Sequence, residues 1–588
     1  MKKNIFLIGT AIFILSSCTK SILDKQPLNT ISDATIWADQ RLTEAYLDQV
    51  YSEMMFLFSE SDNDPVGVHL WGMHDQITRS DEARHAYPWY PTYTRWGPGL
   101  LDQTGGFSEW WTYPTIRKTN EFLKQMENSP LAADVKTNLS ARARWARAMC
   151  YFAMVKRYGG VPLITTAQAI NESPDELFVP RSKEADVYDF IISEMDAIAP
   201  IMKTSEPGGY PTRWAAFALK SRAAMYAASI ATWGQVKIDG LAGIPASEAQ
   251  RFWQASYNAS DSIIKKGPFS LYNKYPSDKV KNFRELFVDE AGNPESIYAM
   301  QFKGTDGVGV SNGWDMFTGP QAFVAWAGNS AAPYLEMIES FEHADGTPGK
   351  LDKATIEQGL WDPADIFKDM EPRFFASIYT QGTPWHGSTC DDWTGLIRPD
   401  GTVITTGSYN GVAAQGSGNK DGGAITGFGI MKYLNEQNAL PNNWNTETDW
   451  MVFRLGEILL NQAEAAIELS KPAEALLLVN QIRDRAGVAP LGTIDRDKVR
   501  HERKIELAFE GNRLFDLKRW RTAVTEISKP FSGLTYLLDF NTRKFKLKIT
   551  DHIDGGNQKL FMEREYYQPI TAWRIANNAK LAPENPGY

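Results

Sequence analysis

Three glutamates recur at intervals of four residues near the C-terminus: Glu502, Glu506 and Glu510, in "HERKIELAFEGNRLFDLKRW". Residues four apart share one face of a helix, and paired carboxylates are what glycoside hydrolysis requires. Other charged residues interleave with them at spacings of three and four: Arg503, Arg513, Asp516 and Arg519. Acids paired with bases have lowered pKa values and make poor proton donors. The pattern favours a structural ion network, and a surface glycoside hydrolase using these carboxylates remains the alternative.

Aromatic residues are concentrated between Trp71 and Tyr113, among prolines and polar residues, as in "ARHAYPWYPTYTRWGPG". No amphipathic helix can be drawn through this stretch, so some of the rings are expected to face outward. A flat ring on a polar surface suits a sugar, because the C–H groups of the sugar pack on the ring while its hydroxyls bond to polar neighbours. For any single ring, packing beneath a loop is an equal alternative.

The sequence therefore predicts a platform for uncharged carbohydrate. The predicted stacking residues are Trp89, Tyr90, Tyr93 and Trp96, and the predicted hydrogen-bonding residues are Asp75, Arg79 and Arg84. A glycine- and proline-rich middle region repeats the aromatic theme with Trp314, Trp326 and Trp385. Trp110 and Trp111 directly precede a helical segment and are expected in the core.

Metal ligands and reactive thiols are sparse. His69 and His74 are five apart, which is not the spacing that directs two imidazoles from one helix at zinc. We expect no cofactor and no obligatory metal, although a weak structural calcium held by a loop stays open. Cys150 is expected as a buried, inert thiol and Cys390 lies in a loop, and a disulfide between them stays possible.

The composition is that of a folded, water-facing protein, with 43% hydrophobic and 22% charged residues. The formal net charge is -10, and no basic patch of useful size is present. A nucleic acid or an anionic lipid surface would repel such a body. The charge balance excludes nucleic acid as a favoured partner and leaves neutral ligands.

The N-terminus predicts export. Lys2 and Lys3 precede an apolar run from Ile5 to Leu15, which is about half of the ~20 residues that a membrane-spanning helix needs. Small residues stand directly before Cys18, and "LSSC" resembles the lipobox of bacterial lipoproteins, in which the new N-terminal cysteine carries lipid. An ordinary signal peptide with an incidental cysteine is the alternative.

The rest of the chain predicts a mainly α fold. An α-α superhelix with tetratricopeptide-like helical hairpins is expected beside a large, irregular, loop-rich ligand-binding half. One predicted helix ends at Gly159, before Pro162, and Ser182 is expected to cap the next. "FRLGEILLNQAEAAIELSK" followed by Pro472 predicts a helical hairpin. Helical periodicity is lost between about Gly304 and Asn445.

Segments spread over nearly the whole chain together resemble one family, the SusD/RagB nutrient-uptake lipoproteins of Gram-negative outer membranes. They are "LDKQP", "WWTYPTIRKTNEFL", "RAMCYFAMVKRYGGVPL", "VPRSKEADVYDFIISEM", "YPTRWAAFALKSRAAMYAA", "FRLGEILLNQAEA", "LVNQIRDRAG", "ERKIELAFEGNRLFDLKRW" and "NPGY". The chain departs from the family pattern at Thr571, where a second proline is common, and at Glu584, where glutamine is frequent.

The resemblance implies capture of a glycan at the cell surface and its delivery to a TonB-dependent, SusC-like β-barrel transporter, without catalysis. It implies an outer-membrane location with a lipid on Cys18. It places one ligand loop at Asp75 to Trp96 and a second between Trp314 and Trp393. A helical-repeat adaptor that binds only protein, or a protein of peptide uptake, is a further alternative.

The expected organisation has five parts. They are a signal peptide (1–17), a lipidated tether (18–39), a SusD-like N-terminal helical region with the first ligand loop (40–240), a loop-rich insertion region (241–450) and a C-terminal RagB/SusD helical region (451–588).

Overall fold

A computed structural model describes residues 33–54, 71–87, 97, 99–104, 109–169, 171–305, 308–324, 327–419, 425–438 and 446–588. The signal segment and Cys18 lie outside these ranges. The described helices, numbered in chain order, are α1 Asp33–Ala38, α2 Gln40–Glu53, α3 Trp71–Thr78, α4 Tyr113–Asn128, α5 Ala133–Tyr158, α6 Pro174–Leu177, α7 Glu184–Ile198, α8 Arg213–Trp233, α9 Ala249–Lys266, α10 Lys279–Glu285, α11 Trp314–Thr318, α12 Leu335–Ile338, α13 Lys353–Ile356, α14 Pro363–Ile366, α15 Pro372–Ser377, α16 Leu455–Glu468, α17 Pro472–Ala486, α18 Arg496–Glu506, α19 Arg513–Arg519, α20 Ala523–Ile527 and α21 Ala572–Asn577.

The strands are shorter and fall mostly in the second half. They are β1 Ala83–His85, β2 Ser296–Met300, β3 Lys303–Thr305, β4 Val308–Val310, β5 Ala331–Pro333, β6 Ile378–Thr380, β7 Pro384–Trp385, β8 Ser388–Thr389, β9 Gly395–Ile397, β10 Val403–Ile404, β11 Ser408–Tyr409, β12 Val412–Ala413, β13 Phe428–Ile430, β14 Trp450–Arg454, β15 Gly533–Asp539 and β16 Phe545–Thr550. Single 3-10 turns complete the described elements, among them Glu563–Tyr566 near the C-terminus.

The helical body is a series of helices that pack against their chain neighbours. Helix α4 packs on α5, α7 on α8, and α16 on α17, while α9 lies against both α8 and α16 and so joins the two ends of the chain. Helix α8 is rich in alanines whose side chains are buried, which lets its neighbours approach closely. The predicted mainly α fold with helical hairpins is confirmed.

Helix α5 ends where the sequence predicts. Its C-cap is Gly159, with φ of 71°, a backbone conformation that favours glycine. A side chain there would also collide with the neighbouring backbone, because a Cβ atom would lie 2.6 Å from the Leu241 carbonyl oxygen. The prediction that Ser182 caps α7 is wrong, since Lys183 is the N-cap residue and no side chain bonds to the free amides.

The expected single helix from His501 to Trp520 is divided in two. Helix α18 ends at Glu506 and α19 begins at Arg513. Between them Phe509 and Gly511 have φ of 62° and 74°, which no helix accommodates. The apolar and charged spacing continues through the break, so periodicity alone could not reveal it.

The irregular half is built from small sheets. Strands β10, β9, β15 and β16 form a four-stranded sheet in that order, in which β15 runs parallel to β9 and antiparallel to β16. Two-stranded pairs join distant segments, such as β14 with β2 and β13 with β6. None of the helices within the described ranges has the length and apolar character needed to cross a bilayer.

Candidate functional site

The two loop regions predicted to carry ligand adjoin in the structure. Strand β1 pairs antiparallel with β5, with Arg84 opposite Ala332. The pairing continues beyond the strands, because the Ala86 amide donates to the Ser330 carbonyl at 2.9 Å. The Tyr87 hydroxyl donates to the Gly328 carbonyl oxygen at 3.4 Å. Segments more than 240 residues apart in the chain are thereby held side by side.

Half-buried rings stand at this junction. Tyr87, Phe323 and His386 are each partly exposed. The Phe323 and His386 rings are near-parallel, at 29°, with centroids 6.3 Å apart. Both are missed by sequence reasoning, which sought rows of tryptophan and tyrosine. The two rings offer flat apolar surface of the kind on which a sugar packs.

A tight turn positions the imidazole of His386. Strands β7 and β8 pair through Trp385 and Ser388, so His386 and Gly387 form a two-residue hairpin turn. Their φ values of 45° and 73° are both positive, as a type I′ turn requires. The "HG" dipeptide between two short extended segments is the sequence signal that could have identified this turn.

A cleft of about 540 Å³ with a mixed polar and apolar wall lies beside the hairpin. The His386 amide donates to Glu436 Oε1 at 2.8 Å, and Glu436 lines the cleft. Its wall comprises Asp278, Val280, Lys281, Arg284, Glu285, Val288, Leu434, Asn435, Glu436 and Gln437. Because acids, bases and amides occur together, the wall offers hydrogen-bond donors and acceptors without a single dominant charge. Such a surface suits a neutral polyhydroxylated ligand.

The buried side chain of Asp315 bonds to the segment beside the cleft. Asp315 on α11 accepts a hydrogen bond from Asn438 Nδ2 at 2.7 Å, and its amide donates to the Thr446 hydroxyl at 3.2 Å. Burial raises the pKa of Asp315 to about 6, although hydrogen bonds from the Asn438 side chain, the Asn435 backbone and the Thr446 side chain to the carboxyl oppose the rise. Asp315 thus links α11 to the segment that contributes Asn435 to Gln437.

Two predicted tryptophans lie in the core. Trp314 stacks on His74 at 5.0 Å between centroids and donates its indole N–H to the Lys432 carbonyl at 2.9 Å. Trp385 is buried beneath the Arg284 guanidinium, 5.2 Å from the ring centroid. The expectation that these rings face a ligand is wrong, because α11 and the β7–β8 hairpin turn them inward. Trp110 is buried, as expected, whereas Trp111 is only half-buried and packs against the edge of the core.

The predicted polar residues also differ in whether the structure leaves them exposed. Arg84 is buried, with Nη1 donating to the Ile553 carbonyl at 2.8 Å and Nε 3.4 Å from Asp554 Oδ1, so its expected ligand contact is wrong. Arg79 is half-buried, and its charge acts on Lys518. The side chain of Asp75 on α3 lies outside the described part of the chain. Trp89, Tyr90, Tyr93, Trp96 and Trp326 also lie outside it.

The glutamates that suggested hydrolysis are buried in ion pairs. Glu506 accepts from Arg454 at 2.7 Å and from Arg373 at 3.2 Å, and it also pairs with Arg485. Glu510 bonds to Arg454 at 2.8 Å and Lys432 at 3.0 Å. The pKa values of both carboxyls are held below their usual range, against the effect of burial, by the surrounding cations.

The predicted ion network is therefore confirmed, but its partners are not those expected along one helix. The cations around Glu506 come from α15, α17 and β14 instead. Glu502 likewise bonds to Arg373 and Arg483, at 2.6 Å and 3.0 Å. The lowered pKa values of Glu506 and Glu510 make both carboxyls poorly suited to proton donation at neutral pH.

Cys150 and Cys390 are both free and buried, and burial raises the pKa of each thiol. Across the described residues, no group of three or more histidines, cysteines or acids is placed to hold a metal ion.

The chain belongs to the SusD family, whose model, described as "SusD family", matches residues 294–588. A second model, described as "Starch-binding associating with outer membrane", matches residues 23–225. The family suggested by the sequence is thereby confirmed.

Relatives and solved structures agree with this assignment. A SusD-like protein of Bacteroides ovatus is 22% identical over 556 residues, covering 88% of this chain and 83% of the relative. The crystal structure of a SusD-like protein from Bacteroides fragilis has a TM-score of 0.71 at 25% identity, covering 96% of this chain and 100% of the other. A SusD-like carbohydrate binding protein from the same species has a TM-score of 0.70 at 23% identity, covering 93% and 100%.

Proposed function

We propose that this protein captures a neutral oligosaccharide or polysaccharide at the cell surface and delivers it to a TonB-dependent, SusC-like outer-membrane barrel. The observation that carries the proposal is the junction of the two loop regions, where the Phe323 and His386 rings stack and the His386 amide donates to Glu436 on the wall of a neighbouring cleft. Family membership and a solved neighbour described as carbohydrate binding support it.

The proposed site combines stacking with hydrogen bonding. Phe323 and His386 pack on a sugar ring, and Asn435 and Gln437 bond to its hydroxyls. The stacking residues predicted from the sequence, Trp89, Tyr90, Tyr93 and Trp96, and also Trp326 of the middle region, lie outside the described residues and stay part of the proposal.

The proposed location is the outer membrane, with a lipid on Cys18 as the anchor and the binding site exposed at the cell surface. The lipobox-like "LSSC" supports the anchor. The description of the N-terminal family model as associating with outer membrane supports the location.

The proposed activity is binding without turnover. The hydrolase alternative depended on Glu502, Glu506 and Glu510, whose carboxylates are buried and paired with arginines. Inverting and retaining glycosidases both need a carboxylic acid that can protonate the leaving oxygen. The ion pairs remove that role from these three residues.

Substitution of Phe323 tests the site. Phe323→Ala should weaken binding by about 1–3 kcal/mol, the scale of losing a large ring at a hot spot. Native gel electrophoresis with a polysaccharide in the gel measures this as lost retardation, using whichever of starch, laminarin or dextran retards the parent protein most.

Phe178→Ala is the matched control, because Phe178 is a surface phenylalanine that lines a different groove. We expect it to bind like the parent protein. Equal retardation of the parent and Phe323→Ala, with both folded by circular dichroism, would show that the sugar binds elsewhere.

A further inference from the structure

An apolar surface groove is formed where α4, α6 and α21 meet, and it shares no lining residue with the cleft beside His386. Its volume is about 200 Å³. Phe178 and Trp573 on its wall are 41% and 56% exposed, so two large apolar residues face water there. The other apolar wall residues include Trp111, Tyr113, Ile164 and Leu177. Covering this surface with an apolar occupant would be favourable.

Buried contacts hold the walls of the groove in place. The Tyr113 hydroxyl donates to the Pro162 carbonyl oxygen at 2.6 Å. Arg574 Nη1 lies 2.9 Å from Glu109 Oε2, and both side chains are buried. The Arg574 guanidinium also lies 5.2 Å from the centroid of the Trp111 ring. The groove is therefore preformed, and Arg574, the charged residue of its described wall, is already paired with an acid.

The size and chemistry of the groove indicate which occupant fits. Pockets for drug-sized ligands begin at roughly 300 Å³, so an oligosaccharide would lie mostly outside this groove. An apolar cavity of about 150 Å³ holds one benzene-sized group, so this groove has room for one or two aliphatic side chains. Asn577 Nδ2 already donates to the Trp573 carbonyl at 2.9 Å, and Asn578 Nδ2 donates to the Val179 carbonyl at 3.2 Å. The wall thus favours apolar side chains of a peptide over the hydroxyls of a sugar.

The chain itself carries such side chains just before α1. Residues 19–32 lie outside the described ranges and include the adjacent apolar pair Ile22 and Leu23, in "SILDKQPLNTIS". The family model described as "Starch-binding associating with outer membrane" matches from residue 23, whereas α1 begins at Asp33. The family pattern therefore extends into this N-terminal segment, as expected if part of it packs on the folded protein.

The N-terminal segment is long enough to reach the groove. Trp37 on α1 packs on Phe122 of α4, with ring centroids 5.9 Å apart. Tyr113, on the groove wall, precedes Phe122 on the same helix by about 13 Å along the axis. The chain from Leu23 to Asp33 spans up to about 33 Å when extended. This reach exceeds the distance along α4 between the start of the described chain and the groove.

We propose that Ile22 and Leu23 dock into the groove formed by α4, α6 and α21 of their own chain. The two side chains pack against the Phe178 and Trp573 rings and remove them from water. Attachment to the same chain favours this occupant over a separate protein, because a short flexible linker gives an effective concentration of about millimolar.

Docking shortens the connection between the protein and the membrane. With a lipid on Cys18, the chain from the anchor to Asp33 spans up to about 50 Å when extended. With Leu23 docked, the free part from Cys18 to Leu23 spans only about 17 Å, which holds the groove close to the membrane surface. This consequence rests on the proposed lipid anchor, whereas the docking itself does not.

Disulfide trapping tests the contact in the mature chain carrying Cys18→Ser. We expect Leu23→Cys with Asn577→Cys to form an intramolecular disulfide in oxidised glutathione at least about tenfold faster than Leu23→Cys with Lys124→Cys. Asn577 is exposed at the groove, and Lys124 is exposed on α4 close to Phe122, so an undocked segment would meet Lys124 at least as often. Peptide mass spectrometry after proteolysis measures both rates. Equal rates, no disulfide in either pair, or disulfides between two copies of the chain would overturn the proposal.

Limited proteolysis measures the docking without added cysteines. Trypsin cleaves after Lys25, and docking of the neighbouring pair should protect this bond, so Leu23→Ser and Trp573→Ala should each speed its cleavage by about fivefold or more. Leu477→Ser is the control, because Leu477 is an exposed leucine on α17 and should leave the rate unchanged. Leu23→Ser lies outside the folded body and decides the outcome if Trp573→Ala fails to fold. Equal cleavage rates in the parent protein and Leu23→Ser would show an undocked segment. Neither test depends on sugar binding.

Discussion

The surroundings of two buried carboxyl groups, those of Glu506 and Asp315, shift their pKa values in opposite directions. Glu506 is surrounded by three arginines, and its pKa is held below the usual range. Asp315 has amide and hydroxyl partners and no cation among its described contacts, so burial raises its pKa to about 6. Cations favour the ionised form, whereas burial without them favours the protonated form. Glu506 is therefore held as an anion, whereas the neutral acid form of Asp315 is favoured only below about pH 6.

Asp315→Asn should change how stability depends on pH. The pKa of Asp315 is about 6 in the folded protein against an ordinary value of 3.8, so its favourable contribution is complete below the lower value and is lost as the pH rises through 6. The loss is about 3 kcal/mol, at 1.36 kcal/mol per pKa unit. Asparagine cannot ionise, so the variant should gain stability relative to the parent protein between about pH 4 and 7.

Urea unfolding at a series of pH values measures this difference. Asp239→Asn is the control, because Asp239 is exposed and has φ of 51°, a conformation that asparagine tolerates. A constant difference between Asp315→Asn and the parent across the range would show that Asp315 ionises normally in the fold.

At the scale of elements, glycines fix where two helices stop, but for different reasons. Gly159 ends α5 with φ of 71° and ψ of −136°, and a Cβ atom would meet a backbone oxygen. Gly487 ends α17 in the ordinary left-handed conformation, where a Cβ atom would lie 2.9 Å from the flexible Lys279 side chain. The contact at Gly159 is with a backbone oxygen and can relax only if the main chain moves. The contact at Gly487 can relax by a rotation of the Lys279 side chain.

Gly487→Ala should therefore cost about 1 kcal/mol of unfolding free energy, the usual cost of a left-handed alanine. Gly159→Ala should cost about 2 kcal/mol or more, because backbone strain and a collision add to it. Chemical denaturation of both variants gives the comparison. Equal losses of unfolding free energy in the two variants would show that the backbone around Gly159 and Leu241 moves to accommodate the added methyl group.

Sequence patterns predict local elements well here and distant pairings poorly. The helix end at Gly159 and the hairpin of α16 and α17 follow from spacing, glycine and proline, which are all local properties. The partners of Glu506 come from segments up to 133 residues away, so no helical spacing could indicate them.

The candidate site likewise combines local elements that the sequence indicates with distant pairings that it does not. The two loop regions that the family resemblance suggests remain predictions as ligand loops, and the β1–β5 pairing that joins them links residues that no local pattern connects. Glycines and polar residues surround Trp314 and Trp385 in the chain, so the sequence predicts exposed indoles there. Their burial depends on the contacts of α11 and of the β7–β8 hairpin, which form only in the folded protein.

At the scale of the whole molecule, a helical body supports a region of loops and small sheets in which the predicted ligand regions meet. A rigid helical support fits a protein that must present a binding surface, since sites are positioned best by elements that do not move. The mixed charge of the cleft and the net charge of -10 together favour a neutral ligand over an anionic one.

The measurement that tests the central claim most directly is affinity electrophoresis of the mature protein in gels containing neutral or anionic polysaccharides. We expect retardation by at least one neutral polysaccharide among starch, laminarin and dextran, none by alginate or polygalacturonate, and no shortened product after prolonged incubation. Unchanged mobility in every neutral gel, or release of oligosaccharides from the retarding polysaccharide, would contradict a non-catalytic protein that captures neutral glycan.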